Sequence, residues 1–194
     1  MIISAIAAMD RMGLIGNDMR MPWNLPGDLR RFRERTLGKP VIMGRRTYES
    51  LRAPLEGRLN IVLAHNPPAH AGGCRLAVSI ENALEIAEDY LGRAGGDEVM
   101  IIGGGVVFEA TAPLWDRLFL TVVEGKFQGD TYFPLDRVQE TRWRIVDREF
   151  RGPDARNAHP YWFLALERHE RTAPRFQDFD LGAWLTDPCG STSV

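Results

Sequence analysis

The stretch "IIGGGVVFE", residues 101–109, decides the fold class of this chain. An apolar run typical of a buried strand enters three glycines, and a segment with helical character follows them. A strand that passes through glycine into a helix exposes backbone N–H groups at the helix N-terminus, where a phosphate group can bind. The spacing is not the GxGxxG of the usual dinucleotide fingerprint. A tight turn without a ligand is therefore an equal alternative for this stretch alone.

The same alternation of apolar strand and helix recurs along the chain. Apolar runs predict strands over 2–9, 40–44, 59–64, 98–105, 117–124 and 161–168. Helices are predicted over 27–36, 45–51, 79–91 and 106–115. The first four runs are continuous rather than alternating, which is typical of strands that are covered on both faces. The pattern predicts an α/β fold with a mostly parallel central sheet.

The C-terminal part of the chain differs from this pattern. No long helix separates the runs 143–150 and 160–169, so we expect an antiparallel hairpin at one edge of the sheet. Residues 169–194 mix Pro, Gly, Ser and Asp with apolar side chains, which are Phe176, Phe179, Leu181, Trp184 and Leu185. We expect this extension to be a packed cap, an oligomer contact or a mostly disordered tail, in that order.

Length, charge and cysteine content restrict the class of protein. With 194 residues the chain is expected to form one domain, since domains typically contain about 100–200 residues. A net charge of −2 argues against nucleic acid or membrane surfaces as partners, so any anion site must be local. The two cysteines are far apart and no metal-ligand spacing is present, so we expect no disulfide framework and no metal site. No apolar run approaches the roughly 18 residues of a membrane helix, and we expect a cytoplasmic protein.

A second strand-to-helix turn lies in "VIMGRRTYES", residues 41–50. Gly44 ends an apolar run, and Arg45, Arg46 and Thr47 follow at the predicted helix start. Two guanidinium groups and a hydroxyl suit phosphate binding, whereas a solvated basic turn would be preferred if the chain held only one such turn. Two anion sites at strand ends favour a ligand with several phosphates. The extra arginine pair fits a 2′-phosphate, which favours NADPH over NADH.

The single carboxylate of "MPWNLPGDLRRF", residues 21–32, is a candidate for the active site. Asp28 lies in the first predicted turn of a helix, where the helix dipole alone is worth roughly 0.3–1 kcal/mol and could explain it. Helical spacing places Asp28 beside Leu29 and Phe32, away from a charged face of Arg30, Arg31, Arg33 and Glu34. A carboxylate in an apolar cleft without a basic partner is costly and has a raised pKa. We therefore favour a functional role.

Taken together, these motifs resemble dihydrofolate reductases of the bacterial type. The resemblance covers residues 1–168, and the stretches "PWNLPGDL" and "GRRTYES" are its most specific parts. It implies an eight-stranded, mainly parallel twisted sheet with flanking helices and a C-terminal antiparallel strand. It also implies NADPH-dependent reduction of 7,8-dihydrofolate to tetrahydrofolate, in which the pterin receives a hydride at C6 and a proton at N5. We expect a monomer.

The resemblance implies a set of substrate residues. Asp28 would bind the 2-amino group and N3 of the pterin, Trp23 would hold an ordered water, and Thr121 would join the network behind Asp28. The residues implied as the walls of the substrate pocket are Ile6, Ala7, Ala8, Leu29, Phe32, Leu51, Leu55 and Ile102. Arg58 would pair with the α-carboxylate of the glutamate tail. From the residues alone, Arg58 is equally well an ordinary loop arginine.

The resemblance also implies a set of NADPH residues. Those expected at the adenosine phosphates are Gly44, Arg45, Arg46 and Thr47, followed by Leu63, Ala64 and His65. Those expected at the pyrophosphate are Gly103, Gly104, Gly105, Val106, Val107 and Phe108, with a cis peptide between Gly103 and Gly104. Those expected around the nicotinamide are Ala8, Ile15, Gly16, Met21 and Ile102, within or beside a lid of residues 10–24.

Some positions depart from the family pattern. Ala64 and His65 stand where many relatives carry two hydroxyl residues, and His65 either replaces that contact or is an ordinary surface histidine. Val106 stands where an arginine is frequent. Around "LRAP", residues 51–54, and Glu56 the substrate contacts are less defined.

Two alternatives to a dihydrofolate reductase remain open. The NADPH-dependent reductase of the riboflavin pathway shares the fold, but "PWNLPGDL" is not expected there. A pteridine- or nucleotide-binding module without catalysis is disfavoured by Asp28 together with Trp23 and Thr121.

Overall fold

The computed structural model describes residues 1–68, 72–139 and 143–169, and in these ranges a central sheet organises the molecule. The strands are β1 (Ile2–Asp10), β2 (Leu14–Gly16), β3 (Pro40–Gly44), β4 (Leu59–Leu63), β5 (Cys74–Ala77), β6 (Glu98–Gly103), β7 (Arg117–Val123), β8 (Thr131–Tyr132), β9 (Trp143–Arg151) and β10 (Tyr161–Arg168). The helices are α1 (Pro26–Thr36), α2 (Arg45–Ser50), α3 (Ile80–Ala94), α4 (Gly105–Thr111) and α5 (Leu135–Gln139), with a 3₁₀ turn at Ala112–Leu114.

Within the described ranges, eight strands form one sheet in the order β5-β4-β3-β6-β1-β7-β10-β9. The pairs from β5 to β7 are parallel, whereas β10 is antiparallel to both β7 and β9. The α/β fold, the mostly parallel sheet and the antiparallel hairpin at its edge are thus confirmed. The short strands β2, β5 and β8 and the helix α5 were not predicted.

The inner, parallel strands of the sheet are buried. The side chains of β3 and β6 are almost all buried, as their continuous apolar runs predicted. Helices cover the sheet, and two apolar clusters form around Trp115 and Ile101 on one side and around Val41 and Met100 on the other. Within the described ranges, no helix has the length and apolar character needed to span a membrane.

The topology brings the candidate residues to one edge of the sheet. Ala8 of β1 pairs with Thr121 of β7, and Thr121 pairs with Phe163 of β10. On the other side of β1, β3 runs parallel to β6, so that Met43 is opposite Gly103. The carboxyl ends of β1, β3, β6 and β7 therefore lie side by side, where parallel α/β sheets bind ligands.

Candidate active site

Asp28 lies inward in the first turn of α1, and its side chain contacts the sheet. The residue is only 9% exposed, and the Thr121 hydroxyl donates a hydrogen bond of 2.6 Å to its Oδ1. The helix begins at Pro26, and the Asp28 N–H donates to the carbonyl of Leu25 at 3.0 Å. The inward orientation that helical spacing predicted is confirmed.

Burial dominates the electrostatics of this carboxyl. Loss of hydration raises the pKa of Asp28, while the hydrogen bond from Thr121 and the positive charge of Arg31 lower it to a smaller extent. The net shift is upward, as the sequence predicted. A ligand that offers N–H donors stabilises the charged form of such a carboxylate, because its hydrogen bonds replace those lost with water.

Arg31 corrects one part of the sequence interpretation, which placed it on a charged face away from Asp28. Its guanidinium lies 4.1 Å from the centre of the Phe163 ring, and its Nη2 is buried without a hydrogen-bond partner in the described protein. Burial lowers the pKa of Arg31, and the charge of Arg35 lowers it further. Arg31 is thus a basic neighbour of Asp28, and it acts on the carboxyl through its charge, which lowers the pKa of Asp28. A guanidinium is attracted to an aromatic face, and Phe163 comes from a strand far along the chain.

Trp23 lies before α1 and is buried. Its ring contacts Phe127 edge-on, with ring centres 4.9 Å apart. The indole Nε1–H is buried and has no acceptor among the described residues. Since buried donors are normally satisfied, this N–H is suited to a water or ligand, as the resemblance implied.

Most of the expected substrate wall forms one apolar surface. Ile6 and the partly buried Phe32, Leu51, Leu55 and Ile102 belong to the same cluster, and Ala8 packs near Trp23. Leu29 is 48% exposed on α1. Ala7 is different, because it packs against the larger cluster around Trp115.

Arg58 is held near the C-terminal end of α1. Its Nη1 donates to the Thr36 hydroxyl at 2.9 Å, and its Nε donates to the carbonyl of Glu56 at 3.1 Å. Burial lowers its pKa, with a smaller contribution from Arg33. A guanidinium held in this way is prepared to bind a carboxylate at the end of the apolar surface.

The two glycine turns lie against each other at the sheet edge. Helices α2 and α4 begin after Gly44 and Gly104, and neither has a side-chain cap. A Cβ added at Gly44 would lie 3.1 Å from Val107, and one at Gly104 would lie 3.2 Å from the Thr47 hydroxyl. Two uncapped helix starts so close together fit a ligand with several phosphates, since their free N–H groups are not used within the helices.

Gly103 has a backbone that requires glycine. Its φ is +103°, and an added Cβ would lie 2.7 Å from the Phe108 ring. The peptide between Gly103 and Gly104 is cis, as expected. Gly105 is close to the carbonyl of Tyr132, so the start of α4 also packs against β8.

The side chains around these turns are mostly solvated. Arg45 and Arg46 are exposed, and the Arg45 Nε donates to Glu49 of the same helix at 2.7 Å. His65 is exposed after β4, and Leu63 and Ala64 are half-buried. Val106 is 86% exposed at the start of α4. The arginines are accessible to a phosphate, and the apolar Val106 cannot bind one by charge.

The segment of residues 10–24, which the resemblance implies is a lid, is anchored at its base. The buried carboxylate of Asp10 accepts hydrogen bonds from the N–H groups of Met12 and Leu14, at 2.8 and 2.9 Å. Gly16 accepts a hydrogen bond of 3.1 Å from the N–H of Asp130, and Ile15 packs against the core. Met21, expected near the nicotinamide, is exposed. The base is therefore ordered by specific contacts while the tip is solvated.

Comparisons with known proteins agree with this arrangement. A sequence model of the dihydrofolate reductase family matches residues 2–168. The chain is 42% identical to dihydrofolate reductase type 3 of Salmonella typhimurium over 168 residues, which cover 87% of this chain and 99% of that protein. It is 38% identical to the dihydrofolate reductase of Bacillus subtilis over 167 residues, which cover 86% and 95% of the two chains.

This chain belongs to the dihydrofolate reductase family.

The structural comparison gives the same result. The dihydrofolate reductase of Enterococcus faecalis, solved in complex with NADP(H) and RAB-propyl, is 33% identical and superposes with a TM-score of 0.77. That match covers 87% of this chain and 97% of the other. The family match ends at Arg168. Apart from His169, the residues of the C-terminal extension lie outside the described ranges, and so do the predictions made for them.

Two residues near the candidate site were missed in the sequence. One is Arg31, which was noticed but assigned to the wrong face. The other is Asn157, which is buried beside α1 although it lies in a polar loop between β9 and β10. Its sequence context, "DARNAHP", is typical of a turn, and no local pattern indicates a partner 130 residues away.

Proposed function

We propose that this protein reduces 7,8-dihydrofolate to 5,6,7,8-tetrahydrofolate with NADPH. The observation that carries the proposal is the buried pair of Asp28 and Thr121 beside two uncapped glycine turns, all at the carboxyl edge of one parallel sheet. A single acid suffices in such a site because the cofactor performs the difficult step. Membership in the family supports this assignment.

Asp28 is proposed to bind and orient the pterin. Its Oδ1 already accepts from Thr121, which leaves further lone pairs for the 2-amino group and N3 of the ring. Burial makes each of these hydrogen bonds stronger than in water. The negative charge favours protonation at N5, and the Trp23 N–H is proposed to hold a water near the ring.

The apolar surface is proposed to exclude water and align the ring. NADPH supplies the hydride that the pterin receives at C6. Phe32, Leu51 and Ile102 would pack against the substrate, and Ile6, Ala7, Ala8, Leu29 and Leu55 complete the proposed wall. Arg58, held by Thr36, would bind the α-carboxylate of the glutamate tail. Close alignment in a site without bulk water is what hydride transfer requires.

The two glycine turns are proposed to bind the phosphates of NADPH. A Cβ added at Gly104 would lie 3.2 Å from the Thr47 hydroxyl, and this proximity of the two turns supports a single continuous phosphate site over β3 and β6. Arg45 and Arg46 would bind the 2′-phosphate and so select NADPH. Ile15, Gly16 and Met21 of the lid would cover the nicotinamide.

The direct test is the loss of NADPH absorbance in the presence of dihydrofolate. We expect turnover that depends on both compounds and is much slower with NADH. A protein that binds NADPH but does not oxidise it with dihydrofolate would contradict the proposal and favour a binding module. Activity with a ribosylaminopyrimidine instead of dihydrofolate would favour the riboflavin-pathway reaction.

The working unit is proposed to be one chain in the cytoplasm, with residues 1–168 as the catalytic domain. Asp28, Thr121 and both glycine turns come from the same chain, which supports a complete site in a monomer. Sedimentation at assay concentration tests the oligomeric state. Activity of a chain that ends at His169 tests the boundary, with loss of activity as the contrary result.

A further inference from the structure

The loop between β9 and β10, residues 152–160, reaches the start of α1. The side chain of Asn157 is only 6% exposed, and its Oδ1 accepts a hydrogen bond of 3.0 Å from the N–H of Gly27. Gly27 immediately precedes Asp28. A loop far along the sequence therefore contacts the backbone next to the candidate acid.

Asp154 holds the Asn157 side chain in this orientation. The Asn157 Nδ2 donates to Asp154 Oδ2 at 2.8 Å, so its Oδ1 is left to accept from Gly27. The other oxygen of Asp154 accepts from the N–H groups of Arg156 and Asn157, at 2.7 and 2.8 Å. The N–H of Asp154 in turn donates to the carbonyl of Asn157 at 2.9 Å. The amide is thus fixed by a closed set of hydrogen bonds.

The contact replaces a missing helix cap. The first N–H groups of a helix have no partner within it and are usually satisfied by a polar residue just before the helix. In α1 that residue is Leu25, which offers no side-chain acceptor. Asn157 supplies the acceptor from another part of the chain. A side chain at Gly27 would overlap the Tyr161 hydroxyl, so the first turn of α1 also fits closely against β10.

We propose that Asn157, held by Asp154, is a positioning residue for Asp28. It fixes the first turn of α1 against the β9–β10 loop, so that the Asp28 carboxyl meets both the Thr121 hydroxyl and the pterin. The Asn157 side chain is engaged by Gly27 and Asp154, so it acts on Asp28 through the backbone of α1. The inference rests on the proposed function, because that function makes Asp28 the acid that binds the pterin.

The first experiment replaces Asn157 with Ala and separates the two ligands. In Asn157→Ala the Gly27 N–H loses its acceptor and the first turn of α1 loosens. Because a small displacement of a positioned group reduces catalysis strongly, we expect kcat/KM for dihydrofolate to fall on the order of tenfold or more. The Kd for NADPH should not change, since the glycine turns lie on other elements. Arg156→Ala is the matched control, because its side chain is exposed and its N–H still donates to Asp154.

A second experiment exchanges the two partners. In Asp154→Asn one side-chain oxygen still accepts from the backbone N–H groups, so the new NH₂ group faces the NH₂ group of Asn157. Two donors then oppose each other, and the hydrogen bond between the two side chains is lost. The double variant combines Asp154→Asn with Asn157→Asp. The amide at position 154 then donates to the carboxylate at position 157, and the other oxygen of that carboxylate accepts from the Gly27 N–H. We expect the double variant to recover most of the kcat/KM for dihydrofolate that Asp154→Asn loses.

The outcomes separate positioning from general stability and from the proposed function. An unchanged kcat/KM for dihydrofolate in Asn157→Ala would overturn the inference, and so would an equal loss of NADPH binding in folded protein. A double variant no better than Asp154→Asn would also overturn it. If the wild-type protein itself does not reduce dihydrofolate, the proposed function fails instead.

Discussion

The two halves of the candidate site, at the carboxyl edge of the parallel sheet, use different groups: the substrate half uses side chains and the cofactor half uses backbone N–H groups. Around Asp28 the site consists of side chains, with the Thr121 hydroxyl, the Arg31 guanidinium and the Trp23 indole brought from separate elements. Across β1, the two glycine turns offer backbone N–H groups of α2 and α4, and the arginines there are exposed.

Because of this difference, the two halves tolerate different amino-acid substitutions. A site of side chains is sensitive to the removal of one polar atom, even when shape is conserved, because a buried partner is then left unsatisfied. A site of backbone groups is insensitive to many side chains but sensitive to any atom that blocks the approach of the ligand. Substitutions that change one property at a time can test this contrast.

The largest effect is expected in Asp28→Asn, which conserves shape and removes the charge. Removing the charge weakens the two buried hydrogen bonds proposed between Asp28 and the pterin, and each hydrogen bond to a charged group is worth roughly 1.5–3 kcal/mol. We therefore expect turnover of dihydrofolate at pH 7 to fall at least about 100-fold. The Kd for NADPH, measured by quenching of protein fluorescence, should stay nearly unchanged. A turnover number equal to that of the wild type would refute the role of Asp28.

The next effect is expected from a single methyl group in the cofactor half. In Gly103→Ala the Cβ meets the Phe108 ring at a positive φ, and a strained backbone of this kind costs about 1–3 kcal/mol. We expect a lower Tm together with weaker NADPH binding. Gly92→Ala in α3 is the control, because beyond the adjoining backbone no atom of the described residues lies within 4 Å of its added Cβ, and the change should stabilise the helix. Equal Tm values for the two variants would contradict the prediction.

A smaller and selective effect is expected from the exposed arginines. Replacing Arg45 and Arg46 with Ala removes charge-assisted hydrogen bonds, so the Kd for NADPH should rise about tenfold or more. The Kd for NADH should change much less. Arg93→Ala, on the exposed face of α3, is the control for the loss of a surface arginine away from the site. Equal losses for both cofactors would mean that neither arginine binds the 2′-phosphate.

The smallest effect concerns stability, and its sign is opposite to that on activity. The pKa of Asp28 is raised in the folded protein, so the native state binds more protons than the unfolded state between the ordinary value of 3.8 and the raised value. Stability therefore falls as the pH rises through this window. Asp28→Asn should have a higher Tm than the wild type at pH 7, and the difference should disappear below the ordinary value. A lower Tm at pH 7 would contradict this assignment of the pKa shift.

Much of the fold could be predicted from the sequence because its core strands are long and apolar. The runs at β1, β3, β4, β6 and β7 and the hairpin of β9 and β10 were all found. The strands β2 and β8 have three and two residues and β5 lies at the sheet edge, so their burial pattern is too short or too exposed to detect. Pairing with distant partners, rather than local propensity, makes these segments strands.

The candidate site was predictable in part. Helical spacing correctly placed Asp28 inward, and glycine placement indicated both turns. The face of Arg31 and the contact of Asn157 with Gly27 depend on side chains from β10 and its preceding loop. Such long-range polar contacts leave no periodic pattern in one sequence. Local patterns therefore located the acid but not the residues that surround it.

The position of β1 in the sheet has a consequence for protein synthesis. β1 leaves the ribosome before the strands that flank it, because Ile2 pairs with Glu98 and Ala5 pairs with Leu118. This apolar strand therefore has neither neighbour in the sheet until β6 and β7 have been synthesised. β10 covers the other edge of β7 only at the end, so a chain stalled before Tyr161 exposes that edge to other nascent chains. β10, whose Phe163 ring contacts Arg31 beside Asp28, therefore also protects the edge of β7 from pairing with other chains.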